Sequence, residues 1–218
     1  MDAKIFYVVG ASGSGKDSIL RAFQKKNIQQ SLKDDNRLPI VIAHRYITRP
    51  SDNDENAIFL SEKEFISRQC YSFFAFHWQA NNLHYGIGKE IDICLKAGIS
   101  VIINGSRAYL ETATSLYPHQ LHSVLIDVPD VILEQRLKQR SRETVEAIEQ
   151  RMQRHKQLKK GVMKDTAIDS LIVNDTTVDA AAKQLQSIID RVLLIPTVSI
   201  EPEKIEENGA DRMIENLE

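Results

Sequence analysis

A glycine-rich stretch near the amino end, Gly10-Ala11-Ser12-Gly13-Ser14-Gly15-Lys16-Asp17-Ser18, constrains the fold more than any other part of the chain. The apolar run Ile5 to Val9 precedes it, and Ile19, Leu20 and Phe23 follow at the spacing of one helical face. The order is therefore strand, glycine loop, helix. Glycines let consecutive backbone N–H groups curl around an oxyanion, the helix start adds roughly half a positive charge, and Lys16 is placed to reach outer phosphates. The stretch predicts a cradle for a nucleoside triphosphate, with Lys16 as its catalytic cation.

The pattern Gly-x4-Gly-Lys-[Ser/Thr] breaks at its last position. Asp17 stands where a Mg²⁺-binding hydroxyl is expected, and Ser18 comes one residue late. A carboxylate about 4 Å from a bare phosphate charge costs about 4 kcal/mol at an effective dielectric of about 20. Asp17 must therefore face Mg²⁺, directly or through water, or turn away as an ordinary first-turn acid, worth about 0.3–1 kcal/mol against the helix dipole. Asp17 and Ser18 are the candidate metal residues.

At 218 residues the chain suits one α/β domain carrying an inserted lobe. A net charge of −2 argues against a nucleic-acid surface or an anionic membrane as partner, so phosphate recognition has to come from clustered arginines. Cys70 and Cys94 form no spaced set and read as reduced, half-buried residues. The amino end reads as strand one and not as a leader, no apolar run approaches the length of a membrane span, and a cytoplasmic setting is expected.

Helix one is expected to fade near Lys26, with a polar connection over 29–38. Ile40 to Ala43 then reads as a buried strand whose exit carries His44-Arg45-Tyr46-Ile47-Thr48-Arg49-Pro50. Ligands of open α/β sheets lie beyond the carboxyl ends of strands, so Arg45 and Arg49 are candidates for gripping an acceptor phosphate. Ala57 to Leu60 reads as an edge strand. Ser61 and Glu64 have capping-box spacing for a helix from Glu62 to about Gln69, with Phe65 inward. The aromatic stretch Tyr71 to Trp78 reads as core packing in a small strand. A turn at Asn81-Asn82 leads to Tyr85, a phosphate donor by its hydroxyl.

Further on, Glu90 to Lys96 reads as a helix stopped at Gly98, and Ile99 to Ile103 as a strand whose exit offers Asn104 and Arg107 as substrate-binding residues. A helix through Leu116 and a strand from Ser123 to Val128 follow. His119 and His122 lack a third ligand and read as surface residues. Asp130 to Arg140 reads as an amphipathic helix with Val131, Leu133 and Leu137 among its apolar positions. Arg136, Arg140, Arg142 and Arg151 then suit a lid that closes over a triphosphate, or a solvated helix laced with ion pairs to Glu143, Glu146 and Glu149. Leu171 to Val173 is the last strand, ending at Asn174-Asp175, and Val178 to Leu194 the last helix. After Pro196 the chain turns acidic over 196–218.

Alternating strands and helices argue a parallel sheet covered on both faces. The residues Gly10 to Ser18, Thr48-Arg49-Pro50, Tyr85-Gly86, Arg136-Leu137 to Arg140, Arg151 and Ile172-Val173-Asn174-Asp175 recur in the order seen in the guanylate kinase-like family, over roughly residues 4–192. The resemblance implies a P-loop kinase three-layer sandwich over 1–195 with a five-stranded parallel sheet. It also implies a small acceptor-binding lobe inserted at about 45–88 and a helical arginine lid at about 136–155.

Departures from that family bear on the acceptor. Where guanylate kinases hold guanine with an acidic residue, this chain has Phe74-Ala75-Phe76; the assisting hydroxyl after Tyr-Gly is Ile87; and Asp52 falls near the place of one phosphate-binding arginine. Loss of both base-reading groups is expected to abolish guanine selection. Gly-Ser-Gly-Lys-Asp-Ser, His44 to Pro50, Glu55-Asn56, Tyr85-Gly86-Ile87-Gly88 and Asn104-Gly105-Ser106-Arg107 resemble instead the branch that acts on ribose 1,5-bisphosphate in phosphonate breakdown. The resemblance implies ATP as donor, Mg²⁺, and transfer to the phosphate on the sugar's first carbon. It implies grip of the acceptor by Arg45, Arg49 and Tyr85, a reading of sugar hydroxyls by Glu55 and Asn56, and closure by Arg140, Arg142 and Arg151. A nucleoside monophosphate kinase and a non-catalytic interaction module are the rival readings.

Overall fold

In the computed structural model, which describes residues 2–31, 40–50, 56–139, 148–153, 155–156 and 168–194, strand β1 (Ile5–Gly10) is the axis of the molecule. Glu55, Arg140, Arg142 and the acidic stretch 196–218 lie outside the described residues. Five parallel strands stand in the order β2 (Ile40–Ile42), β7 (Ser100–Asn104), β1, β8 (Leu121–Asp127), β9 (Ser170–Val173), as the alternation of elements predicts. Side chains alternate across a strand, so β1 feeds two cores. Phe6 and Val8 pack with Ile19 and Phe23 of α1 (Lys16–Ser31) and with Leu185 and Ile188 of α6 (Val178–Leu194). Ile5, Tyr7 and Val9 pack with Ile91 and Leu95 of α3 (Glu90–Lys96) and with Leu110 and Ala113 of α4 (Leu110–Leu116). Each fully buried Val, Ile or Phe in these layers contributes about 1.5–3 kcal/mol.

A second, mixed sheet is drawn from 45–88, in the order β4 (Ala57–Phe59), β3 (Arg45–Ile47), β6 (Leu83–Gly88), β5 (Phe74–Ala80). Here Arg45 opens strand β3 instead of ending β2, a correction to the reading of its run as a strand exit. The polar look of His44 to Thr48 hides a strand that pairs with both β4 and β6. Between β5 and β6, Asn81 and Asn82 adopt φ of 50° and 59°, as a two-residue hairpin of type I′ requires.

In β5 the pairing slips between Phe74 and Phe76, which oppose Gly88 and Ile87. This extra residue turns two phenylalanines that would share a face to opposite faces. Phe74 joins Leu60 and Phe65 under α2 (Glu62–Cys70), whereas Phe76 joins Ile87 and Tyr7 in the main core. Gly86 permits it, since a Cβ there would meet the Phe74 ring at 2.7 Å.

Several local expectations change. Helix α1 runs five residues past Lys26, its end tied to β2 by the Asn27 amide, which donates to the Ile40 carbonyl at 3.0 Å. Ser61 caps α2 by accepting from the Glu64 N–H at 3.2 Å, but the Glu64 carboxylate pairs with Arg68 at 2.8 Å and not with the cap. Tyr71, Phe73 and Val131 are exposed, and so is Cys70; Cys94 is half-buried and both thiols are free. His122 is no surface residue: it packs edge-on to Phe6 at 5.8 Å and meets the Ser170 hydroxyl at 2.9 Å, and burial pulls its pKa down. No described helix is long and apolar enough to cross a membrane.

Candidate active site

The loop after β1 is shaped by backbone freedom and then locked. Gly13 and Gly15 have φ of 93° and 90°, which disfavours any other residue. A Cβ on Gly15 would also lie 2.5 Å from the Asn174 amide nitrogen, and one on Gly10 2.5 Å from the Ile126 carbonyl oxygen. Asn174, buried at the end of β9, donates to the Ser14 carbonyl at 2.8 Å. Arg136 of α5 (Asp130–Gln139) donates in turn to the Asn174 carbonyl at 3.3 Å. Asn174 and Arg136 therefore hold the loop's rear, a role that reading single residues missed. The signal for Asn174 was present, because it is a polar residue at the exit of a buried strand.

Lys16 folds back into the loop, its Nζ donating to the carbonyls of Gly10 at 2.7 Å and Ala11 at 3.2 Å. Burial lowers its pKa to about 8; Asp17 opposes that shift and Arg45 adds to it. The buried hydroxyl of Ser14 has no hydrogen-bond partner among the described residues. An ammonium resting on carbonyls, inside a loop whose turns need positive φ at Gly13 and Gly15, is a group that fits a phosphate chain.

Asp17 and Ser18 are both exposed in the first turn of α1. Asp17 Oδ1 accepts from the Asn104 amide at 2.6 Å, so the exit of β7 holds this carboxylate at the cleft. Asn104 thereby has its amide directed to Asp17, a different task from the acceptor contact expected of it. The turn beyond it rests on Tyr7, whose hydroxyl donates to the Ser106 carbonyl at 3.1 Å and accepts from the Ser106 N–H at 3.0 Å. Gly105 is required there, since a Cβ would reach the Tyr7 ring. Partial burial lowers the pKa of Arg107, and the Asp127 carboxylate counters that.

These parts meet in one cleft of about 540 Å³. Gly10, Ser12, Gly13, Gly15, Lys16, Asp17 and Ser18 form one side; Arg45, Arg49, Trp78, Asn81 and Tyr85 form another; Asn104 to Ala108 and Arg151 complete it. Ala11 and Ser14 belong to the loop without lining this cleft, and Ala11 faces an adjoining hollow of about 410 Å³ together with Ser12, Arg49, Arg151 and His155. Arg151 is carried by a helical segment whose Ile148 and Met152 pack on Leu133 and Leu137 of α5. Asn56 is not brought to the cleft. Its amide donates to Gln24 at 3.1 Å, and it borders a small hollow behind Asp17, Arg45 and Asn104. Trp78, expected in the core, packs half-buried against it and also lines the cleft.

The electrostatics follow. Lys16, Arg45, Arg49, Arg107 and Arg151 face the carboxylate of Asp17, which is the one acidic side chain among the described lining residues. Such an excess of cations is suited to a ligand carrying several phosphates. No cluster of His, Cys, Asp or Glu among the described residues forms a protein-only metal centre.

A glycine loop between β1 and α1, a parallel sheet with β7 and β8 flanking β1, and a cation-lined cleft beyond the strand ends define a P-loop kinase. Guanylate kinase from Anaplasma phagocytophilum superposes with a TM-score of 0.62 over 90% of this chain and 89% of that one, at 14% identity, and so shares its fold. No family model matches the chain. Curated relatives named ribose 1,5-bisphosphate phosphokinase PhnN do. That of Enterobacter lignolyticus is 47% identical over 155 residues, 71% of this chain and 77% of its own length. The Psychromonas ingrahamii protein is 43% identical over 187 residues, 85% and 89% of the two chains, and that of Thiobacillus denitrificans 40% over 189 residues, 86% and 93%. The chain belongs to the ribose 1,5-bisphosphate phosphokinase PhnN family.

Proposed function

We propose that this protein transfers the γ-phosphoryl group of ATP to the phosphate on the first carbon of ribose 1,5-bisphosphate, giving 5-phospho-α-D-ribose 1-diphosphate and ADP, as a step of phosphonate catabolism. One observation carries the reading: the glycine loop with Lys16 and the arginines Arg45 and Arg49 share a single cleft. An oxygen of the acceptor phosphate attacks the γ-phosphorus as the bond to the β-phosphate bridging oxygen breaks. That acceptor is already ionised at neutral pH, so the chemistry needs alignment and charge neutralisation more than a general base.

In this reading the loop N–H groups and Lys16 hold the β and γ phosphates, and Arg45, Arg49 and Tyr85 hold the acceptor. Arg107 adds to the hold on the acceptor, and Arg151 neutralises charge on the moving group, joined by Arg140 and Arg142 from outside the described residues. Asp17 and Ser18 are the side chains suited to hold Mg²⁺, which, when bound, neutralises charge on the phosphate oxygens. The Asn104 amide keeps Asp17 oriented for that task. Two free thiols fit a cytoplasmic setting.

A nucleoside monophosphate kinase is disfavoured by Phe74, Phe76 and Ile87, all buried and apolar where the family resemblance calls for base-reading groups. A pocket stripped of such groups forfeits discrimination of about 10⁴ or more. The test is ADP release with ribose 1,5-bisphosphate, GMP, AMP and dCMP compared side by side, with the product identified by phosphorus NMR. Ribose 1,5-bisphosphate is expected to give the highest kcat/KM, and a preference for GMP overturns the proposal. No ATP binding by calorimetry would point instead to a non-catalytic module.

A further inference from the structure

Trp78 on β5 and Tyr85 on β6 oppose each other directly across the hairpin. Their rings lie 4° from parallel with centroids 5.6 Å apart. The Arg45 guanidinium sits over the outer partner, 5.7 Å from the Tyr85 centroid. Behind Trp78, Tyr109 follows at 5.9 Å, and it belongs to the 3₁₀ turn that starts at Arg107. A column of three rings thus runs from the turn bearing one cleft arginine to the face of another.

This column is more than packing. Phe76, two residues before Trp78 on the same strand, is fully buried, whereas Trp78 is half-buried and lines the cleft. Buried indoles and phenols direct their N–H or O–H to a protein acceptor. Neither the Trp78 N–H nor the Tyr85 hydroxyl is among the buried polar atoms left without a partner, so both reach solvent on the side of the cleft. An aromatic face is electronegative, so it repels a phosphate laid over it and attracts polarised C–H groups and cations. Beside the cleft arginines, the rings sort a phosphorylated ligand by charge: phosphates go to guanidinium groups, and the uncharged part goes to the aromatic surface.

We propose that Trp78 is a specificity-determining residue of the acceptor site: held between Tyr85 and Tyr109, it leaves part of its ring open to the cleft, and the sugar of a sugar bisphosphate packs against that part while the indole N–H meets a sugar or phosphate oxygen. This deepens the acceptor reading above and rests on it. Through Tyr85 the same ring steadies Arg45. The site thereby recognises a small ring by its C–H face and by the phosphates at its ends, with no need of the polar edge contacts that a nucleobase demands.

Trp78 is the chain's single tryptophan, so the intrinsic emission of the intact protein reports on this ring alone. Titration of the wild-type protein with ribose 1,5-bisphosphate, without ATP, is expected to change that emission saturably, while GMP at equal concentration does not. Trp78→Leu is expected to raise the acceptor KM about fivefold to tenfold with the ATP KM within about twofold, and Trp78→Phe to restore most of the difference. An emission that stays flat at acceptor concentrations saturating turnover overturns the proposal, as does a leucine variant whose two KM values rise together. Should Trp78→Leu fail to fold, the titration and the phenylalanine variant decide. Should ribose 1,5-bisphosphate not be turned over, the acceptor reading falls separately. Titration with ribose 5-phosphate and glucose 1,6-bisphosphate then tests the ring contact by itself: a saturable change upholds it and none rejects it.

Discussion

On one side of the cleft the loop from Gly10 to Ser18 offers mainly backbone; on the other, the second sheet offers mainly side chains. The loop's form follows from positive φ at Gly13 and Gly15 and from neighbours that leave no room for a Cβ. Its one long side chain, Lys16, is stored against the loop's own carbonyls. The wall proposed to hold the acceptor has little such backbone dictate. Arg45, Tyr85 and Trp78 come from three strands, and their relation depends on pairing register and ring stacking. Backbone sites recognise what every triphosphate has in common, whereas side-chain sites can be rebuilt for a new acceptor with the fold untouched.

The division predicts that the two sides fail differently. Lys16→Ala should lower kcat by at least about 10²-fold, the scale of losing one preorganised donor to a developing oxyanion. Its fold should survive, since among the described residues the Lys16 ammonium bonds only the loop carbonyls of Gly10 and Ala11. Circular dichroism and the thermal midpoint check the second part. Activity close to that of the wild type would show that the loop N–H groups suffice, and would sink the role given to the lysine.

Arg49→Ala sharpens the comparison from the other side. A hydrogen bond to a charged group is worth about 1.5–3 kcal/mol, so kcat/KM for the acceptor should fall about 10- to 100-fold while the KM for ATP stays within about twofold. Arg49 also borders the hollow shared with Ala11, Ser12 and Arg151. If steady-state kinetics show ATP affected as strongly as the acceptor, the two sides are one site and the division fails.

The same contrast explains what the sequence makes legible. The glycine loop announces itself because its chemistry demands a contiguous motif, and α6 is bounded correctly because Ala181, Leu185 and Ile188 repeat at helical spacing. The end of α1 is hidden because it is fixed by a contact with Ile40, a residue remote in sequence. Strand β3 is hidden because its partners on both sides are supplied by later segments. Trp78 looks like a core residue by its aromatic neighbours, and only the slip between Phe74 and Phe76 and the pairing with Tyr85 decide which rings enter the core and which face the cleft. Asn174 binds the Ser14 carbonyl from the far end of the sheet, a relation that no local pattern contains. Local chemistry is readable, and convergence of distant segments is not.

The smallest expected effect is one of pH, and it tests whether the stored state of Lys16 matters. With a pKa lowered to about 8 by burial, the free protein loses the ammonium as pH rises past that value. Because kcat/KM reports groups of the free enzyme, kcat/KM for ATP should fall about fourfold between about pH 7 and about pH 8.5. Bound phosphates favour the charged form and raise this pKa, so kcat should hold to higher pH. Stability moves the other way. Between about 8 and the ordinary lysine value of 10.5 the unfolded chain binds the proton that the folded one has released, so this group's contribution to stability rises with pH. A fall in kcat/KM for ATP without a fall in thermal midpoint is therefore the signature of Lys16. A pH-independent kcat/KM across that window would mean that the ammonium is not stored in a desolvated loop, and the contrast between a pre-set donor side and a side-chain acceptor side would lose its electrostatic half.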